Sequence, residues 1–252
     1  MTNYVLMLVR NNRVITEEAI ETVLAQTLPV HLIVVNNGST DGAAEMLATL
    51  DDERVVIVHF YPGKSVAASW NWGLKRIFET AEHALVVNND VLLHPRTYEW
   101  LLADGGGFVT CVGVQGKHYN ERKDGLKVFR DETERVVFPC ELGSRKRPHP
   151  DFSCYLIRKG VWERVGPFDE AFKGAYAEDW DMHVRMHKAG VEAYCLELPY
   201  LHYGGATVTT ATPEEQRAIQ EQAGRNREYF KSKWGVVGGS VEYYALFGTE
   251  AP

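Results

Sequence analysis

The chain has 252 residues, which is enough for one large domain or two small ones with a substantial buried core. Its contents of 45% hydrophobic and 24% charged residues are typical of a soluble globular protein. The formal net charge of −7 argues against binding to nucleic acid or to an anionic membrane surface as the main function.

The first ninety residues alternate short apolar runs with amphipathic segments. The predicted elements are strands at 4–9, 31–35, 54–60 and 84–88, with helices at 16–27, directly after Asp41, and at 65–80. Repeats of this kind predict right-handed βαβ units and a parallel sheet. Three strands end in polar turns, which are Arg10-Asn11-Asn12, Asn36-Asn37-Gly38 and Asn88-Asn89-Asp90. Because ligands of parallel sheets bind at the carboxyl ends of strands, these turns predict a binding site.

The regular alternation of strands and helices ends in the second half of the chain. The predicted elements are strands at 108–114, 152–158 and 199–203, helices at 159–165, 178–188 and 213–234, a polar stretch at 115–150, and a tail at 236–252. We predict a single domain over residues 1–235, with halves at 1–107 and 108–235.

Nothing in the sequence indicates a membrane or secretory protein. No apolar run approaches the roughly 18–20 residues that span a bilayer, and no segment resembles a signal peptide. The four cysteines are widely spaced, and three of them lie in apolar runs, as expected of buried thiols in a reducing compartment. We therefore expect a cytoplasmic protein.

An acidic cluster, Glu178-Asp179-Trp180-Asp181, opens the helix predicted at 178–188. A carboxylate at a helix start that faces a cleft can take a proton. The alternative is that these acids are only favoured by the helix dipole. This alternative is strongest for Asp181, because its i,i+4 partner Arg185 indicates an ion pair.

Four segments follow one another along the chain. They are Val34–Gly42, similar to V-x-D-N-G-S-T-D-G; Val66–Gly73, similar to G-x-A-x-x-x-N-x-G; Val87–Val91, in the place of D-x-D; and Gly166–Glu170 with Glu178–Asp181, Arg185, Gly190 and His202, similar to G-x-F-D-E…E-D-x-D-x-x-x-R…G…H. In this order they resemble the motifs of glycosyltransferase family 2, the inverting enzymes of GT-A fold, including its rhamnosyltransferase-like members. The resemblance covers about residues 4–235. It implies an α/β protein with a Rossmann-like, mostly parallel twisted sheet flanked by helices, and a mixed-sheet second half.

The resemblance assigns residues 1–107 to the nucleotide-sugar donor. The donor-binding residues that it implies are Arg10, Asn11, Asn36, Lys64, Asn71, Asn88 and Asn89. Asn36 replaces the aspartate that reads the base, and Asn88 replaces the first aspartate of D-x-D. An aspartate accepts a hydrogen bond from N3–H of uracil or thymine, whereas asparagine can accept or donate. UDP or dTDP is therefore expected, a cytidine donor stays open, and a turn asparagine with only local bonds is the alternative.

The resemblance assigns residues 108–235 to catalysis and the acceptor. The expected metal site uses both halves of the chain. Asp90 of the first half is expected to bind Mn²⁺ or Mg²⁺, with His202 of the second half as a second ligand whose imidazole favours Mn²⁺. Asp179 is the expected general base of a single in-line displacement, and Glu178 is expected to orient a hydroxyl. Trp180 and Tyr176 offer flat faces for an acceptor. The polar stretch at 115–150, with its basic run at 143–149, is the predicted acceptor loop.

The predicted function is metal-dependent inverting transfer of a hexosyl or deoxyhexosyl group to a hydroxyl of a glycan or small molecule. A homodimer is compatible with the sequence. A nucleotidyltransferase is the first alternative, although Arg10-Asn11-Asn12-Arg13 lacks the glycines of its G-x-G-T-R loop. A catalytically weak nucleotide-sugar-binding module is the second, motivated by Asn36 and Asn88. Glycosylation of a modified nucleic-acid base is the third, and the net charge disfavours it.

Overall fold

The computed structural model describes residues 2–115, 146–147 and 150–249, in which nine strands form one mixed sheet. The strands are β1 (Asn3–Val9), β2 (Val30–Asn36), β3 (Val55–His59), β4 (His83–Asn88), β5 (Val91–Leu92), β6 (Phe108–Gln115), β7 (Lys146–Arg147), β8 (Cys154–Arg158) and β9 (Ala193–His202). The helices are α1 (Arg13–Leu24), α2 (Ala43–Ala48), α3 (Val66–Ile77), α4 (Thr97–Asp104), α5 (Lys159–Val165), α6 (Glu178–Lys188), α7 (Ala206–Thr209), α8 (Pro213–Trp234) and α9 (Val241–Ala245).

The strand order is β3-β2-β1-β4-β8-β6-β9-β5, with β7 beside β9. The strands β3, β2, β1 and β4 are parallel, as predicted. β8 runs antiparallel between β4 and β6, and β9 runs parallel to β6 but antiparallel to β5. The segment before β8 therefore lies at the same edge of the sheet as the carboxyl ends of the parallel strands.

The central strand β1 is buried on both faces, which explains its continuous apolar run. Val5 and Met7 pack in one core with α1, α2 and α4, and Leu6 and Leu8 pack in the other with α3 and α6. Gly73 of α3 lies so close to Leu6 that a β-carbon would collide with the leucine side chain. This close approach fixes α3, and with it the loop that leads into the helix, against the sheet.

Several elements differ from the prediction. The helices α4, α7 and α9 and the short strand β5 were not predicted, and β9 begins at Ala193 rather than near residue 199. Glu197 and Pro199 interrupt the apolar run of β9, which concealed its length in the sequence. Part of the predicted tail is ordered as α9, whose Tyr243 is buried against the ring of Trp180.

Most of the predicted acceptor loop, including the whole of 116–145, lies outside the described residues, as does Cys140. The remaining cysteines, Cys111, Cys154 and Cys195, are buried thiols outside any disulfide, as predicted. Among the helices of the described ranges, none is both long and apolar enough to cross a membrane.

A polar network joins α6 to α8. The fully buried carboxylate of Asp181 accepts from Arg185 Nε at 2.7 Å, from Lys233 Nζ at 2.8 Å and from Trp234 Nε1 at 2.9 Å. The first contact is the predicted i,i+4 ion pair. Lys233 Nζ also contacts Asp169 Oδ2 at 2.6 Å. The end of α8 thus holds both the start of α6 and the loop between α5 and α6, which contains Asp169.

Replacement of Lys233 tests this network. Lys233→Met should lower the free energy of unfolding by about 1–3 kcal/mol, because the buried carboxylate of Asp181 loses a charged partner. Urea denaturation measures the change. Lys231→Met, an exposed substitution two residues earlier on α8, is the matched control and should change stability by less than about 0.5 kcal/mol. Equal losses in the two variants would contradict a stabilising role for the network.

Candidate functional site

A cleft of about 570 Å³ opens at the carboxyl edge of the parallel strands. This volume is typical of a site for a small organic ligand. Its walls come from the ends of β1, β2 and β4, the first half of α3, the segment before β8, the start of α6, α7 and one face of α8. The ionisable side chains along it are Arg10, Lys64, Asp90, Asp151, Glu178, Asp179, His202 and Glu215. Carboxylates outnumber basic groups, which favours the binding of a cation.

The structure brings most of the predicted site residues to this cleft. Those that line it are Arg10, Lys64, Asn88, Asn89, Asp90, Tyr176, Glu178, Asp179 and His202. Four predicted site residues do not line it, and these are Asn11, Asn36, Asn71 and Trp180. The side chains of this second group are engaged in hydrogen bonds or packing elsewhere.

Asp90 and His202 meet because β5 pairs with the end of β9, with Val91 opposite His202. Asp90 Oδ1 and His202 Nε2 lie 3.4 Å apart. Two ligand atoms at about 2.0–2.2 Å from one cation are separated by about 3 Å or slightly more. The pair therefore fits a shared divalent ion. In the part of the chain that the structure describes, no cluster of three or more His, Cys, Asp or Glu side chains could hold a metal.

His202 is oriented from its other side by Ser153. Its Nδ1 lies 3.2 Å from Ser153 Oγ, so that Nε2 points to Asp90. Burial disfavours the charged imidazole, but the hydrogen bond with Asp90 and the negative charge of Asp90 outweigh it and raise the pKa of His202. The negative charge of Asp151 acts in the same direction. This end of the cleft thus attracts positive charge.

Glu178 and Asp179 are placed by a left-handed residue, Ala177 (φ 74°), at the N-terminus of α6. Glu178 is only 5% exposed, and burial together with the charge of Asp179 raises its pKa to about 8. Burial also raises the pKa of Asp179, whose Oδ1 accepts a hydrogen bond from Trp180 N at 2.8 Å. Two carboxylates in this environment titrate as a pair. Near neutral pH the pair can retain one proton and still present one carboxylate.

Asparagine side chains join the loops of the carboxyl edge. Asn37 accepts from Lys64 N at 2.7 Å and donates to Lys64 O at 2.9 Å. Asn11 Oδ1 accepts from Thr40 N at 2.7 Å, and Asn89 Nδ2 donates to Asn11 O at 3.1 Å. These bonds fix the backbone at the ends of β1, β2 and β4. They also place the Lys64 side chain at the cleft.

Asn36 and Asn71 use their amide groups inside the protein. The fully buried Asn36 accepts from Ser39 N at 3.1 Å, and its Nδ2 lies 3.1 Å from both His59 Nδ1 and the Tyr61 hydroxyl. Asn71 exchanges two hydrogen bonds with the backbone of Phe168 and donates a third to Glu170. Asn71 therefore braces the loop of the G-x-F-D-E-like motif.

The two aromatic residues predicted to contact an acceptor lie in different surroundings. Tyr176 lines the cleft and is 41% exposed. Trp180 packs between Phe230 and Tyr243, and Gly238 lies against its indole with no room for a β-carbon. Its position one residue after Asp179 did not reveal this packing, because the segment that covers it was predicted as a tail.

Sequence reasoning missed Asp151 and Ser153, which line the cleft just before β8. Both residues precede an apolar run, which the sequence shows. Their position at the cleft follows only from the antiparallel direction of β8, which brings the start of that strand to the carboxyl ends of the parallel strands. It also missed the contribution of α8, whose Glu215, Ile219 and Gln222 form one wall. Their spacing of three to four residues places them on one helical face, a signal that the sequence did contain.

Residues 5–229 match the model of the family described as glycosyltransferase like family 2. The chain belongs to glycosyltransferase family 2. The matched segment contains every residue that lines the cleft. Comparison by sequence with curated proteins gives no match.

Solved structures show the same fold as this family 2 glycosyltransferase. The mannosyltransferase PcManGT from Pyrobaculum calidifontis, in complex with GDP-Man and Mn²⁺, aligns with a TM-score of 0.55 and 16% identity over 98% of this chain and 78% of that chain. Residues 1–349 of TarS from S. aureus align with a TM-score of 0.55 and 14% identity over the same shares. The predicted GT-A fold is thereby confirmed.

The buried Glu178 predicts a pH-dependent stability for this glycosyltransferase. Its pKa rises from 4.5 in the unfolded chain to about 8 in the folded protein. The stability that Glu178 contributes is therefore fully present below the unfolded pKa and is lost as the pH rises through the folded pKa. Glu178→Gln should flatten the decline in the free energy of unfolding between about pH 5 and pH 8. Denaturant titrations across this range measure it. Glu163→Gln, an exposed substitution on α5, should keep the wild-type slope, and an unchanged slope in Glu178→Gln would contradict the assignment.

Proposed function

We propose that this glycosyltransferase catalyses metal-dependent, inverting transfer of a hexosyl or deoxyhexosyl group from a nucleotide diphosphate donor to an acceptor hydroxyl. The observation that carries the proposal is the meeting, in one cleft, of the Asp90–His202 pair with the Glu178–Asp179 pair. The first pair suits a cation beside a diphosphate, and the second suits proton removal. An inverting, metal-dependent transfer from a diphosphate uses both functions.

Asp90 and His202 would hold Mn²⁺ or Mg²⁺, with donor phosphate oxygens and water completing the coordination. A bound divalent cation would stabilise the negative charge that develops on the leaving diphosphate. Ser153 keeps the His202 ring in the orientation that presents Nε2. Arg10 and Lys64 are the basic side chains of the lining, and we assign them to the donor phosphates.

In the proposed step, the Asp179 carboxylate accepts the proton of the acceptor hydroxyl while the hydroxyl oxygen attacks the anomeric carbon. The bond from that carbon to the diphosphate breaks at the same time, and the diphosphate leaves with the electron pair. One displacement inverts the anomeric configuration. Glu178, with its raised pKa, retains a proton near neutral pH and donates a hydrogen bond to a substrate hydroxyl.

UDP or dTDP is the proposed donor nucleotide, with Asn36 and Asn37 at the end of β2 beside the base. Asn36 is fully buried, whereas Tyr61, whose hydroxyl contacts Asn36 Nδ2, is exposed. A bound base would therefore contact Tyr61 rather than Asn36 directly. One observation favours a cytidine donor as the second candidate. The Asn36 carbonyl already accepts from Ser39 N, which leaves it less able to accept from N3–H of uracil or thymine, whereas cytosine has no hydrogen at N3.

The proposed acceptor is a hydroxyl of a glycan or small molecule. Tyr176 offers an aromatic face at the cleft, which the Ile219 and Gln222 side chains of α8 also line. An apolar sugar face can pack on the tyrosine ring while polar groups bind the hydroxyls around it. A module without catalysis would not require the proton-accepting and cation-binding pairs together, which is our reason for proposing an enzyme.

Metal-dependent nucleotide binding is the first test of this function. Isothermal titration with UDP, dTDP and CDP should give higher affinity with Mn²⁺ than without it. Asp90→Ala should abolish this difference, and His202→Ala should reduce it. Ser153→Ala should weaken Mn²⁺ binding by about 10-fold, because it loosens the histidine.

Asp51→Ala, a substitution of an exposed aspartate outside the cleft lining, is the control and should behave as wild type. Wild-type affinity that is identical with and without Mn²⁺ for every nucleotide would argue against a metal-dependent enzyme. Unchanged metal dependence in His202→Ala alone would remove His202 from the site.

Proton removal by Asp179 is the second test. Asp179→Asn keeps the size of the side chain but cannot accept the proton, so kcat should fall by about 10²–10⁴. The dissociation constant of the nucleotide should stay within about twofold, since its proposed contacts lie on other elements. Release of the nucleoside diphosphate from a panel of nucleotide sugars measures kcat. If Asp179→Asn stays active while Glu178→Gln is inactive, the base is Glu178.

A further inference from the structure

We propose that Asn226 of α8 is a positioning residue that holds the two carboxylates at the start of α6. The proposal rests on the proposed function, because it takes Asp179 as the base. Asn226 is only 2% exposed and does not line the cleft. Its amide nevertheless makes more hydrogen bonds than the core position of a helix requires.

The amide of Asn226 joins α8 to the backbone of residues 173–177, which we name the clamp segment. Its Nδ2 shares its two N–H groups among the carbonyl oxygens of Lys173 at 2.8 Å, Ala175 at 2.9 Å and Tyr176 at 3.0 Å. Its Oδ1 accepts from Lys173 N at 3.2 Å and from Gln222 Nε2 at 3.0 Å. The single side chain thus satisfies both donor and acceptor groups of the clamp segment.

The clamp segment needs an external support because its backbone is unfavourable for its residues. Tyr176 and Ala177 have φ values of 81° and 74°, in the left-handed region that favours glycine. Non-glycine residues keep such a conformation only where the surrounding structure enforces it. The bond to the Tyr176 carbonyl acts on the peptide that links these two residues.

The clamp segment sets the direction of α6. The first helical hydrogen bond runs from Asp181 N to Ala177 O at 3.1 Å, so the conformation of Ala177 determines where Glu178 and Asp179 point. At its other end, Gly174 O accepts from Val66 N at 2.7 Å, at the start of α3. Asn226 therefore fixes the carboxylates relative to the wall that α3 contributes to the cleft.

An amide is required at this position. A carboxylate would place oxygen against three carbonyl oxygens, and a hydroxyl has a single hydrogen to donate. Asn226→Asp keeps the shape of the side chain and its accepting oxygen but loses every bond that Nδ2 donates. It is therefore the sharpest variant, and Asn226→Ser is the milder one should the first lose stability.

The experiment compares kcat for donor hydrolysis with the dissociation constant for UDP and Mn²⁺, in the full-length enzyme. Asn226→Asp should lower kcat by about 10²-fold, as expected of a base displaced by about 1 Å. The dissociation constant should stay within about twofold. Gln216→Ala on the same helix removes one hydrogen bond to Ala211 and should leave both parameters unchanged.

A second substitution separates positioning from a general effect on the fold. Glycine adopts a left-handed conformation without strain. Adding Ala177→Gly to the Asn226→Asp variant should therefore raise the kcat of that variant about tenfold. Hydrogen–deuterium exchange of the amides at 173–182 should increase in Asn226→Asp and not in Gln216→Ala.

The proposal is overturned if Asn226→Asp keeps kcat, if kcat and affinity fall together, or if exchange at 173–182 does not change. A further contrary result concerns Ala177→Gly. The proposal is also overturned if this substitution lowers kcat by the same factor in the wild-type enzyme and in the Asn226→Asp variant. Failure of the proposed function has a different signature, in which the wild type hydrolyses no donor. The exchange measurement still decides in that case whether Asn226 supports the clamp segment.

Discussion

Buried loop backbone at the carboxyl edge of the sheet has to be hydrogen-bonded, and asparagine side chains meet this requirement. Asn37 pairs with both backbone groups of Lys64, Asn89 reaches the loop after β1, and Asn226 contacts three carbonyl oxygens of the segment before α6. An amide both donates and accepts, so one side chain can satisfy two kinds of backbone group. With the loops fixed in this way, the charged side chains are left to face the cleft.

The parallel half could be predicted because its signals are local. Continuous apolar runs such as 4–9 indicate strands buried on both faces, and polar turns follow them at the edge where ligands bind. The positions of Asp90 and Asp179 at a strand end and a helix start were also visible in the sequence. Each lies at the cleft for the reason that the pattern indicated.

The remainder depends on contacts between distant segments. An asparagine at a loop can bind a ligand or brace the backbone, and nothing local distinguishes Asn36, which is buried, from Asn88, which lines the cleft. Asp151 enters the cleft only because β8 is antiparallel to β4. Trp180 is covered by residues some sixty positions later, whose own helix has too few residues to show a period. Sequence spacing alone does not encode these relations.

The helix α8, which holds the start of α6, follows Glu178 and Asp179 in the chain. Synthesis on the ribosome delivers the parallel units first, and N-terminal structure generally forms before the rest. Asn226 and Lys233 leave the ribosome after every loop that they fix, since all of those loops precede them. A nascent chain can therefore assemble the loops of its parallel half while Glu178 and Asp179 are still unsupported. Translation order thus makes the positioning of these carboxylates a late event in the maturation of the enzyme.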